Sequence, residues 1–423
     1  MPEIVTFDPV IPANVDVPAD QRPLAEPTSD ALREFLADRD LGREMLRRYA
    51  EEIFPVDLRR WRIRAVEIEW RKELLPTFPR AGSRKRFPLG LDAAGRCDLV
   101  VEDVESRTLG IVDHKSAASG HVLADAMLPI DEQGKTYAWG MPEFDGHPVA
   151  WFAHNTLIKS VPKPPRLVQA KKKADGCLCG RDLLRNAKGE SVPHALSQSR
   201  DQVTTLTLYE AAIREHGLDP APYAEILGLL RAAPRQFFQR SLVAHDAATL
   251  AAHEEEMRWI ALERADAPAY RTPNKILCPG CPFYAGLCVA DTPEGRGNFR
   301  VLDEAHVELD EVRPSTGERP IITTSEIAEW KRCHRRHALH YGAGLVPLVD
   351  ARALRLGTGL HVALADLYRT AMNGAPDPTI AVRAWDAHVE SECVRIYGIT
   401  VAQAEAVVQS VGGASTDDQE TPF

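Results

Sequence analysis

Two strand-like runs, R-C-D-L-V-V-E-D-V and G-I-V-D-H-K-S, flank the turn-forming E-S-R-T-L-G and constrain this chain more than any other feature. Runs of β-branched residues broken by such a turn read as an antiparallel hairpin. A turn centred on Glu105 and Ser106 sets Asp98 opposite Asp113. Opposed side chains on an antiparallel pair stand about 5 Å apart, and like charges there repel unless something positive lies between them. A divalent cation meets that need. Lys115, two residues beyond Asp113, falls on the same face of its strand and reaches the same point. Two carboxylates bind Mg²⁺ or Mn²⁺ through oxygen, while a lysine activates water and steadies the charge of a phosphoryl transition state. The plain alternative is a surface hairpin with acids at its turn. Against it, Leu99, Val100, Val101, Ile111 and Val112 make the strands apolar enough to be buried, where charge needs a reason.

Elsewhere the pattern alternates between helix and strand. Residues 1–26 read as an irregular lead-in rich in proline and aspartate. A helix is expected over 28–53, with Leu32, Leu36, Leu41, Met45, Leu46 and Tyr49 near one face and Thr28, Ser29 or Asp30 as its cap. Trp61, Ile63, Ala65, Val66 and Ile68 open an extended stretch. A helix starts within 130–141, V-A-W-F-A-H-N-T-L-I reads as a buried strand, and 197–265 as mostly helical. Residues 299–320 look like a linker. Beyond them two helices are expected in 321–410, the first capped by Thr324 or Ser325, and 411–423 form a polar tail taken to be disordered.

Three groups of residues resemble motifs of the PD-(D/E)XK nucleases. G-R-C-D-L-V-V followed by I-V-D-H-K-S is similar to the two carboxylate motifs of that superfamily. D-E-Q-G-K-T-Y-A-W places Gln133 and Tyr137 one helical turn apart and resembles the Q-x-x-x-Y motif of the RecB-like branch, which includes CRISPR-associated and phage-borne exonucleases. The resemblance implies an α/β fold, a restriction-endonuclease-like mixed central sheet flanked by helices. It also implies a metal-dependent DNA exonuclease acting on ends or single strands in repair, recombination or phage replication. Asp98, Asp113, Lys115, Gln133 and Tyr137 would form the catalytic set, with Gln133 and Tyr137 contacting DNA or orienting the lysine.

The eight cysteines point to a second group. A reducing cytoplasm disfavours a disulfide framework, so clustered thiols read as metal or cluster ligands. Cys278, Cys281 and Cys288 lie close in C-P-G-C-P-F-Y-A-G-L-C, and a four-ligand site needs one more. Cys177 and Cys179 are one source, giving zinc. Cys333 is the other, on a helix similar to the one that carries a single cysteine in iron-sulfur members of the branch. The resemblance favours a 4Fe-4S cluster on Cys278, Cys281, Cys288 and Cys333, stapling the helical periphery. Cys97 and Cys393 read as packed thiols.

The order of segments departs from the family. The cysteine helix and R-L-G-T-G-L-H-V-A-L resemble the front of such a nuclease, where the histidine, here His361, joins Asp98 and Asp113 at the metal. A histidine on an amphipathic helix has a plain reading too, at the edge of a core. Residues 27–298 thus resemble a nuclease core lacking its front, and 321–410 a front lacking its core. Circular permutation, tandem partial copies completed by another subunit of a homo-oligomer, and a fragmentary reading frame all produce that order.

Composition sets the remaining limits. A chain of 423 residues with 44% hydrophobic residues holds a sizeable core. No apolar run approaches the roughly 18 to 20 residues of a membrane span, and the first residues lack a secretory pattern, so a cytoplasmic location without membrane contact is expected. The net charge of −10 leaves room for a local basic groove. Lys159, Lys163, Arg166, Lys171, Lys172, Lys173, Arg181, Arg185 and Lys188 supply either such a groove or a solvated loop. No Walker-type loop is present, so any helicase motor would be another chain. The main alternative to an enzyme is a non-catalytic DNA-binding or assembly module.

Overall fold

The hairpin is the centre of a seven-stranded mixed sheet in the computed structural model. The structure describes residues 27–76, 78–79, 86–87, 90–118, 125–160, 162–169, 194–199, 203–232, 237–289, 292–302, 306, 309–314, 318–348 and 351–412. The lead-in 1–26, the tail from 413, Cys177 with Cys179, and the basic residues Lys171 to Lys188 lie outside these.

The long strands are β1 (Trp61–Leu75), β2 (Leu91–Asp103), β3 (Leu109–Ala117), β4 (His147–Ile158) and β5 (Phe238–Val243). They lie side by side in that order, antiparallel except that β3 runs parallel to β4. A short sixth strand, β6 (Ile321–Thr323), lies parallel to β2 at Asp92–Ala94. The hairpin register is Leu99 with Val112 and Val101 with Gly110. Asp103 fixes it, because its Oδ1 accepts from the backbone of Glu105 (3.1 Å) and Ser106 (2.9 Å), a carboxylate closing its own turn.

Beyond Leu99 and Val112 the sheet forks. β3 leaves β2 and stays on β4 as far as Ala117 with Ile158. β6 takes the edge of β2 that β3 vacates. Asp98 and Asp113 stand at the start of that fork.

The helices that pack against the sheet among the described residues include α1 (Ser29–Arg48), α2 (Glu132–Gly140), α3 (Ala247–Asp266), α4 (Thr324–Arg332) and α5 (Arg352–Met372), while α6 (Ile380–Tyr397) and α7 (Val401–Gly412) lie over α1 and α5. On one face Leu32 and Leu46 of α1 and Leu360 and Leu364 of α5, with Trp385 of α6 packed against α1 and α5, share one core with Leu99, Val101 and Val112. On the other, Tyr137 of α2, Met257 of α3 and Ile327 and Trp330 of α4 meet Cys97, Val100 and Ile111. A sheet apolar on both faces needs this double cover, giving three layers. A smaller core, with Tyr209, Ile213, Tyr223 and Leu227, forms a satellite.

The C-terminal segment is built into the same sheet and both cores, not appended to them. Thr323 rather than Thr324 or Ser325 caps α4, its hydroxyl accepting from Glu326 N at 3.3 Å. The stretch 197–265, expected to be mostly helical, contains β5. Its six residues, buried at Phe238 and Ser241 and exposed at Leu242, show no alternation to set against the flanking helical pattern. Described parts of the expected linker are tied down. Phe299–Val301 pairs with Leu345–Pro347, and the backbone amides of Asp310, Glu311 and Val312 donate to the Glu69 carboxylate at 2.8, 2.7 and 3.0 Å. Among the described residues no helix is long and apolar enough to cross a membrane.

Candidate metal and nuclease centre

Two polar clusters meet at the fork. The first joins three distant segments. β1 pairs Val66 with Leu99 and Ile68 with Cys97, so Glu67 lies opposite Asp98. Glu67 has φ of 53°, a left-handed conformation unusual for a glutamate within a strand. Its effect is visible on both sides. Val66 packs on the α1/α5 core and Ile68 on the α2/α3 core, although residues two apart in a regular strand share a face. Leu99 and Cys97 divide in the same way. Both strands therefore change face at the acidic pair, and strain of this kind persists where the surroundings impose it, often at functional sites.

α5 brings the third group. His361 Nδ1 lies 3.2 Å from Asp98 Oδ2. Glu67, Asp98 and His361 each offer one ligand atom, all within 4.8 Å of one another. Asp98 Oδ2 also accepts from the His114 backbone N at 2.6 Å, which satisfies an amide that the fork leaves without a strand partner. Burial, and then the Asp98 charge, raises the Glu67 carboxyl above its ordinary value. Arg96 offsets this in part from 2.9 Å. Burial pulls the His361 imidazole down, but Asp98 outweighs it and the net shift is upward. Two adjoining carboxylates and one imidazole, with proton affinity raised at Glu67 and His361, are a donor set that fits a divalent cation such as Mn²⁺ or Mg²⁺.

The second cluster surrounds Asp113. Lys115 Nζ lies 2.7 Å from Asp113 Oδ2, and Gln133 Nε2 donates to Asp113 Oδ1 at 2.9 Å and to the Tyr137 hydroxyl at 3.0 Å. His154 Nδ1 lies 3.3 Å from Asp113 Oδ2, and its Nε2 lies 3.2 Å from Asp131 Oδ2. Burial works to raise the Asp113 carboxyl, yet Lys115 and His154 overcome it and hold the group well below the usual range. Burial likewise works to lower His154, and its two carboxylate partners lift it to about 9. Lys115 is raised, the cost of its burial being exceeded by the pull of Asp113.

All six expected residues of the centre, Asp98, Asp113, Lys115, Gln133, Tyr137 and His361, meet within one chain. The grouping differs by one strand from the expected one. Glu67 completes the tight set with Asp98 and His361, while Asp113 is occupied by Lys115, Gln133 and His154. Glu67, His154 and Asp131 escaped sequence reasoning. The Ala65-Val66 doublet, which breaks strand alternation just before Glu67, was a readable signal, whereas nothing marked His154 apart from its place in a buried strand.

The cysteines converge more loosely. Arg332 Nη2 donates to Leu277 O at 3.2 Å and Arg335 N to Tyr270 O at 2.9 Å, which lays Cys333 along the 270–288 segment. Burial, then the neighbouring Cys281, raises the Cys288 thiol, and Cys333 acts in the same sense. Among the described residues no cysteine belongs to a set of ligand atoms as tight as that of Glu67, Asp98 and His361. Cys97 and Cys393 are buried, as packed thiols should be.

No family model matches the chain, and neither a curated protein nor a solved structure matches it.

Proposed function

We propose that this chain is a metal-dependent DNA nuclease of the PD-(D/E)XK type, nearest in its motifs to the RecB-like exonucleases and with its segment order permuted. The observation that carries the reading is the meeting of Glu67, Asp98 and His361, drawn from β1, β2 and the far helix α5, beside the Asp113 and Lys115 pair. Elements distant in sequence converge on acids and a histidine where a hydrophobic core would otherwise close. The forked mixed sheet, covered on both faces, supports a restriction-endonuclease-like fold.

In this reading Glu67, Asp98 and His361 hold Mg²⁺ or Mn²⁺. A bound divalent ion supplies Lewis-acid polarisation of the scissile phosphate. Lys115 presents its ammonium to the charge that grows on the phosphoryl oxygens as a water oxygen bonds to phosphorus and the P–O bond to the departing sugar oxygen breaks. Asp113 positions Lys115, and Gln133, backed by Tyr137, fixes Asp113. Lys159, Lys163 and Arg166 begin a basic stretch that tracks the DNA backbone. Cys278, Cys281, Cys288 and Cys333 hold a 4Fe-4S cluster that ties the last third of the chain to the segment following α3.

Lys115→Ala tests the mechanism. Cleavage of end-labelled single- and double-stranded DNA with Mn²⁺ should fall at least about 100-fold, with DNA binding retained. Wild-type cleavage by the variant would remove the proposed mechanism. Salt-dependent DNA binding by a wild-type protein that cuts neither substrate would instead favour a non-catalytic DNA-binding module.

A further inference from the structure

Beneath the metal group lies a buried polar knot that the chemistry above does not use. The Tyr368 hydroxyl donates to Asp57 Oδ2 and lies 2.8 Å from the Tyr49 hydroxyl. Asn155 Nδ2 donates to the Tyr49 hydroxyl at 3.2 Å, and Arg240 joins the knot through Asp57 Oδ1 (2.8 Å) and Asn155 Oδ1 (2.6 Å). Tyr49, Asp57, Asn155 and Tyr368 are each at most 1% exposed. Five separate elements thus spend polar groups in an apolar core, where a well-packed aliphatic set would be at least as stable.

Two connections run from this knot to the metal group, one along α5 and one through the His114 ring. Tyr368 stands two helical turns beyond His361 on α5, so both project from one face, and the bond to Asp57 sets the rotation and height of the helix that carries His361. The Tyr368 ring also stacks on the His114 ring, with centroids 5.7 Å apart and planes at 25°, and Tyr49 meets that ring edge-on at 6.1 Å. The backbone N of His114 is the group that holds Asp98. Among the described residues neither ring nitrogen of His114 finds a hydrogen-bond partner, so the ring serves as a spacer.

We propose that Tyr368, held by Asp57 and Tyr49, is a positioning residue that sets the spacing of His361 and Asp98 and so tunes metal affinity at their site. This rests on the metal-site reading above. Tyr368→Phe keeps the ring and its stacking and deletes only the hydroxyl. Mn²⁺ affinity, measured by calorimetric titration of the full chain, should weaken about 10- to 100-fold, the range seen when groups supporting metal ligands are removed. Tyr209→Phe, which deletes a hydroxyl bonded to Ser197 O in the satellite core, should leave Mn²⁺ affinity unchanged. Tyr49→Phe loses one bond of the knot and should weaken Mn²⁺ less than Tyr368→Phe. It decides the matter if Tyr368→Phe does not fold. Wild-type Mn²⁺ affinity in a folded Tyr368→Phe, or in Tyr49→Phe when the former does not fold, overturns the positioning role alone. Equal weakening in Tyr209→Phe overturns it too, by showing a general effect of stability. A wild-type chain that binds no Mn²⁺ overturns the metal-site reading and this inference with it.

Discussion

His154 shows how a single side chain ties the site to pH. Its pKa is lifted from about 6.5 to about 9, with burial opposing the shift and Asp113 and Asp131 producing it. A group with a raised folded pKa stabilises the native state fully below its unfolded value, and that contribution is lost as pH rises through the folded one. His114, His253 and His337 behave oppositely, since burial lowers each to about 4. Their contribution is present above about 6.5 and is lost as pH falls toward 4. Melting temperature should therefore fall on both sides of neutrality. In His154→Gln the decline between about pH 6.5 and 9 should flatten, while the acid side keeps its slope. Calorimetric scans over pH 4 to 10 would show this, and an unchanged alkaline limb would refute the assignment to His154.

Among the elements, α5 has the most varied duties. It delivers His361 to the metal group, Tyr368 to the buried knot, and Leu360, Leu364 and Leu367 to the core beneath β2 and β3. Leu364 is completely buried, so Leu364→Ala leaves a cavity at the helix–sheet contact. The expected loss is about 2 to 5 kcal/mol in urea unfolding. Val362, on the outer side of α5 and 43% exposed, is the control, and Val362→Ala should cost far less. Equal losses for the two would mean that α5 is not docked on the sheet as described.

At the scale of the whole molecule, the fork makes the two ends of the sequence interdependent. β6 completes the edge of β2, α4 packs on α2 and α3, and Cys333 lies along the segment that carries Cys278, Cys281 and Cys288. The proposed cluster belongs to this scale because its ligands span the junction. Protein purified without oxygen should contain about four iron and four sulfide per chain, and Cys333→Ser should lose most of both. Purified wild-type protein with stoichiometric zinc and no iron would replace the cluster with a zinc site.

Much of the local organisation was legible in residue order. A turn centred on Glu105 and Ser106 gives the hairpin register that the strands adopt, because the turn position leaves one pairing. Periodicity determines α1, α2, α4, α5 and β4, since apolar spacing distinguishes helix from strand. The pairing of Gln133 with Tyr137 follows from one helical turn. Other features depend on contacts that no local pattern encodes. Glu67 belongs with Asp98 because β1 changes face there, a kink whose side-chain consequence appears only once both cores are packed. His154 bridges Asp113 and Asp131 because parallel pairing of β3 and β4 sets it beside Asp113. The return of residues 321–412 to the hairpin is likewise decided by tertiary structure, because an edge vacated at the fork and two apolar sheet faces are covered only when the far end of the chain closes over them.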